Sequence, residues 1–353
     1  MKRVWIIAIV ALLLGLTTSG SADVFNLGGT RNPDGSWNGL ASLDTVPVGN
    51  AGNTADTRYA TPGYGSVAYE YNIGKYEVTA GQYTEFLNAV ADTDTYGLYN
   101  TSMWSSTYGC KIERAGSSGS YTYSVASDYA NRPVNYVSWG DSARFANWLH
   151  NNQPTGAQGA STTERGAYTL DGAMTDAQLL AVNRNSNWKW AITSEDEWYK
   201  AAYYKGGSTN AGYFDYPTSS DTAPSNVLGS PTDPGNNATY YNNGYTIGSP
   251  YWRTEVGAHE NSDSPYGTFD QGGNVWEWNE AILYGSYRGL RGGSFDGSGD
   301  TLHASNRSGG DYDPPYESYD IGFRVSEVPE PASLALLALG GTGMLVRRRG
   351  LGR

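Results

Sequence analysis

One cysteine, Cys110, stands in the whole chain, so no internal disulfide can hold its loops. The loops are many, because 46 glycines are spread along 353 residues and strongly periodic segments are few. Disorder is excluded by the 29 tyrosines and 11 tryptophans, which carry large buried area into any fold they join. Packed aromatic rings and bound cations are therefore the expected means of pinning the backbone. Gly109 and Lys111 beside Cys110 offer little to stabilise a thiolate. An inert, buried thiol is expected rather than a reactive or chain-linking one.

Both ends read as targeting segments. Met1-Lys2-Arg3 precedes an apolar run from Val4 to Leu16 and then Gly20-Ser21-Ala22, the basic, apolar, small-residue order of a secretory signal with cleavage after Ala22. A retained anchor is the alternative, but the run is short for a membrane span. At the far end, Val328-Pro329-Glu330-Pro331 leads into an apolar stretch from Ala332 to Val346 and then Arg347-Arg348-Arg349. As a helix that stretch covers roughly 22 Å, less than the ~30 Å hydrocarbon core, and its arginines favour the cytoplasmic side. The expected organisation is a signal peptide at 1–22, a lead-in segment at 23–57, a folded domain at 58–327 and a sorting or transmembrane tail at 328–353.

Without those terminal segments, 17 basic residues face 34 acidic ones. A body this acidic repels phosphate backbones, which excludes nucleic acid as a partner. The charges are scattered, as a solubilising surface requires.

Three helices are predicted. Thr79 caps the first with Gln82 three residues on, and Tyr83, Phe86, Leu87 and Val90 form one apolar stripe. Ser138 and Asp141 begin the second, which buries Phe145, Trp148 and Leu149. Thr193 and Asp196 begin the third, which presents Trp198, Ala201 and Ala202. Alternation from Ser120 to Val125 suits a hairpin strand, and residues 206–266 read mostly as loop. The fold class is α+β and irregular.

Six segments, in order, resemble the formylglycine-generating enzyme (sulfatase-modifying factor) family. They are Gly74-Lys75-Tyr76-Glu77-Val78-Thr79, Arg132-Pro133-Val134-Asn135-Tyr136-Val137-Ser138-Trp139 and Thr193-Ser194-Glu195-Asp196-Glu197-Trp198. The other three are Gly273-Asn274-Val275-Trp276-Glu277-Trp278, Arg291-Gly292-Gly293-Ser294 and Ile321-Gly322-Phe323-Arg324. The resemblance implies a variant of the C-type lectin fold. The tail is similar to the PEP-CTERM sorting signal of Gram-negative bacteria. That implies an exosortase-type partner, transient tethering to the inner membrane, and a body left on the cell surface or outside the cell; a plain C-terminal anchor is the alternative.

The family's oxidases hold copper(I) with two cysteines. Counted back from Arg307, which matches an arginine beside that site, the pair falls at Ala304 and about Gly299. Neither is a thiol, and copper(I) requires soft ligands. Copper is therefore not expected, and no catalytic residue is assigned. His303, next to the vacated position, forms a candidate residual pocket with Asp300 and Arg307; surface or packing roles are the alternative. His150, His259 and His303 show no helical metal spacing, and no G-x-S-x-G elbow occurs.

The resemblance also implies structural calcium. Its ligands match the Asp270 side chain, the Gly273 and Val275 carbonyls, and the Glu277 carboxylate, with a salt bridge as the alternative role for Glu277. Hard oxygen donors and a Gly-Gly turn suit that ion. A second implied site begins at Asn226-Val227. Asp92, Asp94 and Gly97 imitate the start of an EF-hand, but position twelve is Met103, so a capped turn is expected. Trp276 and Trp278 are expected in the core, and Tyr240, Tyr241, Tyr245 and Tyr251 are candidates for a recognition surface.

The leading expectation is an exported, non-catalytic module that binds a glycan or peptide outside the cell or serves a structural role there. Altered chemistry around His303 and Arg307, or a true formylglycine-generating oxidase acting on sulfatases, are the alternatives.

Overall fold

Reciprocal capping boxes start the longer helices because each leading N–H needs an acceptor. The computed structural model describes residues 43–229, 235–308 and 312–328, and the backbone of the short strands β1 (Thr30–Arg31) and β2 (Trp37–Asn38). The signal peptide and the apolar tail lie outside the described residues. The elements that follow are β3 (Thr45–Val48), β4 (Tyr71–Gly74), α1 (Ala80–Val90), α2 (Ser102–Ser105), β5 (Ile112–Ala115), β6 (Thr122–Val125), α3 (Trp139–His150) and α4 (Asp176–Ala181). The remainder are β7 (Trp190–Ile192), α5 (Glu195–Tyr203), β8 (Trp276–Leu283), β9 (Tyr287–Arg291), β10 (Ile321–Phe323) and β11 (Val325–Glu327).

In α1, the Gln82 amide donates to the Thr79 hydroxyl at 3.2 Å and the Thr79 amide donates to the Gln82 side chain at 2.9 Å. Ser138 and Asp141 repeat the device in α3 at 3.1 and 2.9 Å. The third predicted helix is corrected by one residue: Ser194 caps α5 with Glu197, at 3.1 and 2.8 Å. Asp196 is instead turned to the amide of Gly65, at 2.7 Å. The longer glutamate reaches back to the cap, which frees Asp196 to tie down a distant loop.

Four antiparallel strands form the central sheet in the order β3-β4-β11-β7. The lead-in segment thus supplies an edge strand, so residues 45–48 belong to the folded body and not to an irregular approach. A second sheet has the order β10-β8-β9, with β10 parallel to β8 and β9 antiparallel. The predicted strand around residue 122 pairs with β5 as a hairpin. The fold is the irregular, loop-rich α+β form expected.

Between the sheets and helices lies an aromatic core. The stripe of α1 meets α3 through Phe86 and Phe145, whose ring centroids are 5.3 Å apart, and Phe323 of β10 closes on Phe145 at 5.3 Å. Trp278 is fully buried and donates to the Val137 carbonyl at 3.0 Å; Trp276 is buried in the same core. Cys110 is fully buried there as well, and burial pushes its thiol up. Arginine–carboxylate pairs pin the loops beyond the rings. Arg144 reaches Glu164 at 2.7 Å, Arg184 bridges Glu197 and Glu280 at 2.7 Å each, and Arg291 reaches Glu195 at 2.7 Å.

Candidate functional site

The loop entering β8 turns on Asp270 and Asn274, both at positive φ, and on Gly273 at +85°. Gly273 is required, because an added Cβ would collide with the carbonyl of Thr239. This turn brings Asp270 and Glu277 near a third carboxylate, Glu77, which the sequence reading did not single out. Glu77 accepts from Asn274 Nδ2 at 3.0 Å and from the Val275 amide at 3.3 Å. Burial, then Asp270 and Glu277, push Glu77 well above the usual carboxylate range. Burial likewise pushes Asp270 up to about 6, and its one carboxylate bond from the backbone comes from Gly257, at 2.6 Å.

Glu277 is committed elsewhere. Its Oε2 accepts from Arg324 Nε at 2.6 Å and from Trp198 Nε1 at 2.7 Å, while Oε1 accepts from Arg324 Nη2 at 2.7 Å. Glu277 thus makes the salt bridge that was the alternative to calcium ligation. Three buried carboxyls, Glu77, Asp270 and Glu277, stand near the one Arg324 guanidinium, and burial favours the neutral form of Glu77. Asp270 and Glu77 are the carboxyls there that Arg324 does not bond, and they would be the hard oxygen donors for a calcium ion. Asn226 is occupied differently: its amide donates to the carbonyls of Gly244 at 2.9 Å and Tyr240 at 3.3 Å, while Val227 stands 61% exposed. Among the described residues, no three His, Cys, Asp or Glu side chains group as a metal site. The EF-hand imitation is a capped turn, in which Asp94 accepts from the Leu98 amide at 2.7 Å.

His303 and Asp300 share one 3-10 turn, Gly299–Leu302, and its exit. The imidazole stands edge-on to Tyr59 at 5.3 Å and to Tyr216 at 5.2 Å. Its Nδ1 accepts from the Ser305 amide at 3.1 Å, so in the neutral ring Nε2 carries the proton. Arg307 does not join them: it pairs with Glu195 at 2.5 Å. Among the described residues, no hydrogen bond or ion pair joins Arg307 to His303 or Asp300. Ala304 is buried in a cluster with Trp198 and Tyr203, apart from the core that holds Cys110, so the lone thiol does not reach the vacated position's cluster. The donors present do not fit copper(I).

The tyrosines of the long loop divide. Tyr240 is buried against Leu302, and Tyr251 lies under the Arg132 guanidinium at 4.0 Å. Tyr241 and Tyr245 remain 44% and 40% exposed, with centroids 5.1 Å apart. Behind them the rings continue through Trp252, 4.9 Å from Tyr245, to Tyr108 at 5.0 Å and Tyr319 at 5.1 Å from Tyr108. Phe295 lies beneath, and the Tyr319 hydroxyl donates to Asp296 at 2.7 Å. Under this patch Arg253 is fully buried; desolvation lowers it to about 10, and Nη1 donates to the Tyr108 carbonyl at 2.7 Å. Trp252, Phe295 and Tyr319 come from three distant segments, so no sequence periodicity could have united them.

Among the described residues, no helix is long and apolar enough to cross a membrane. Residues 327–349 match the PEP-CTERM protein-sorting motif, which implies recognition by exosortase-type machinery and export to the cell surface. No curated protein matches the chain. Among solved structures, CarF is similar over 82% of this chain and 99% of its own, at 19% identity and a TM-score of 0.49. Treponema denticola variable protein 1 is similar over 86% and 99%, at 19% identity and a TM-score of 0.44. PvdO from Pseudomonas aeruginosa is similar over 85% and 98%, at 18% identity and a TM-score of 0.43. Residues 40–328 match the sulfatase-modifying factor enzyme 1-like domain, and the chain belongs to that family.

Proposed function

We propose that the exported domain is a non-catalytic binding module of the cell exterior, and that its ligand, a neutral glycan or an uncharged peptide segment, docks on the ring patch around Tyr241 and Tyr245. The observation that carries this reading is the exposure of both rings on a pre-packed aromatic foundation. Such rings offer apolar area with polar tips and lose little freedom on binding. An acidic body disfavours polyanionic ligands, so stacking on a neutral one is the better match. The missing thiol pair argues against the oxidase chemistry of the family, since a single buried cysteine cannot ligate copper(I) as a pair. Calcium at Asp270 and Glu77 serves the module by neutralising the buried charge and fixing the loop that enters β8.

A glycan and peptide array probed with the full chain tests this, with and without a chelator. Binding that disappears with Tyr241→Ala and Tyr245→Ala supports it. Formylglycine made in a sulfatase-motif peptide incubated with the protein and copper would overturn it.

A further inference from the structure

A cavity of about 430 Å³ opens on a face of Tyr251 that the ring patch does not use. Its walls are apolar, made by Leu228, Ile247 and Val256, and that volume suits a small organic ligand. Two carboxylates, Glu255 and Glu260, also line it, with the Arg132 guanidinium beside them.

The charged groups are unevenly satisfied. Arg132 Nε donates to the Asp128 carbonyl at 3.0 Å, and Nη1 donates to the carbonyl of Arg253. Nη2 approaches Glu255 only to 3.9 Å, beyond hydrogen-bond reach. The Arg132 side chain is 9% exposed and Glu255 is 55% exposed. A buried guanidinium edge thus faces the cavity with one loose, solvated counter-ion, a pairing that contributes little by itself. Tyr251 stacks 4.0 Å from the same guanidinium and fixes its plane. The wall is held from behind, because the Val256 amide donates to the Asn131 carbonyl at 2.9 Å.

We infer that this cavity binds a free α-amino acid with an apolar side chain. In such a molecule a carboxylate and an ammonium are separated by one carbon. Arg132 and Glu255 present the opposite charges at matching close spacing, with Glu260 adding a second acceptor for the ammonium. The carboxylate takes the open Nη2 edge, the ammonium takes Glu255, and the branched side chain covers Leu228, Ile247 and Val256. A plain anion would meet two repelling carboxylates, and a plain amine would meet a buried guanidinium. Only a zwitterion satisfies all three.

Calorimetric titration of the full chain with L-leucine tests the inference, with leucinamide and 4-methylpentanoate as probes that each lack one charge. Saturable one-to-one binding of L-leucine is expected, with each single-charge probe weaker by roughly 10-fold or more. Arg132 supports the fold through two carbonyls, so the informative variants are the exposed Glu255→Gln and Leu228→Asn. Each is expected to weaken L-leucine roughly 10-fold while the melting temperature holds. Tyr245→Ala, which disables the ring patch, is expected to leave L-leucine affinity unchanged, so the two sites fail independently. No binding at millimolar L-leucine would overturn the inference, as would single-charge probes equal to L-leucine or an unchanged affinity in Glu255→Gln.

Discussion

Arg324 closes Nε and Nη2 on the two oxygens of Glu277 while its Nη1 holds the Gly74 carbonyl at 2.9 Å, so one side chain ties β8 to the end of β4. Both partners are fully buried. Trp198 adds its indole N–H to the same carboxylate, which brings α5 into the junction. Removing one partner leaves an uncompensated charge in the core. Glu277→Gln is expected to cost about 3–5 kcal/mol, read from urea unfolding. Replacing both residues by leucine should cost less than the single change.

Burial disfavours the ionised forms of Asp270 and Glu77, and a bound calcium ion would stabilise them. Addition of a chelator is expected to lower the melting temperature of calcium-loaded protein. At calcium a hundredfold above its Kd the linkage amounts to about 2.7 kcal/mol. Glu77→Gln should shrink the chelator effect; a melting curve indifferent to calcium in the native sequence would remove the cation from the account.

Glu317 lies against Asp141, which completes the Ser138 capping box of α3, and accepts from Asn100. Burial first, then Asp141, push Glu317 up to about 9 from its ordinary 4.5. A proton is therefore held by the folded state and not the unfolded one across that window. The stability it contributes is complete below pH 4.5 and is lost as pH rises through about 9. Glu317→Gln is expected to gain stability relative to the native sequence as pH rises from 5 to 9, in melting temperatures measured in parallel.

Gly273 sits at φ +85° against the Thr239 carbonyl. Gly273→Ala is expected to destabilise by about 2 kcal/mol or more, through both the backbone region and the collision. Gly244 has open space around a Cβ, so Gly244→Ala is the matched control, with little change expected in denaturant melts.

Tyr245 stands at the exposed edge of the ring patch, 4.9 Å from Trp252. Tyr245→Ala is expected to remove more than about 1 kcal/mol of ligand binding, as an aromatic anchor does. Its stability should fall by about 1 kcal/mol, because the ring is 40% exposed and packs edge-on against Trp252. Affinity for an array-identified ligand and a melting curve give the two readings.

Local chemistry made much of this fold legible. The caps at Thr79 and Ser138 and the stripe Tyr83, Phe86, Leu87 and Val90 are set by contacts three or four residues apart, and the structure places them as read. The cap of α5 slipped by one residue because Thr193, Ser194, Asp196 and Glu197 offer two pairings, and only Gly65 arriving from elsewhere claims Asp196. The absence of a thiol pair needs no coordinates, since composition settles it. Tertiary structure alone decided the rest. Glu277 pairs with Arg324 because β10 runs parallel to β8 and the residue just after β10 brings its guanidinium into the same buried space. Tyr108, Trp252, Phe295 and Tyr319 became one patch because long loops fold back across the sheets. Sequence spacing reports what neighbours along the chain can do. Which distant charges and rings share a desolvated volume depends on loop closure, and that is fixed only when the whole chain has folded.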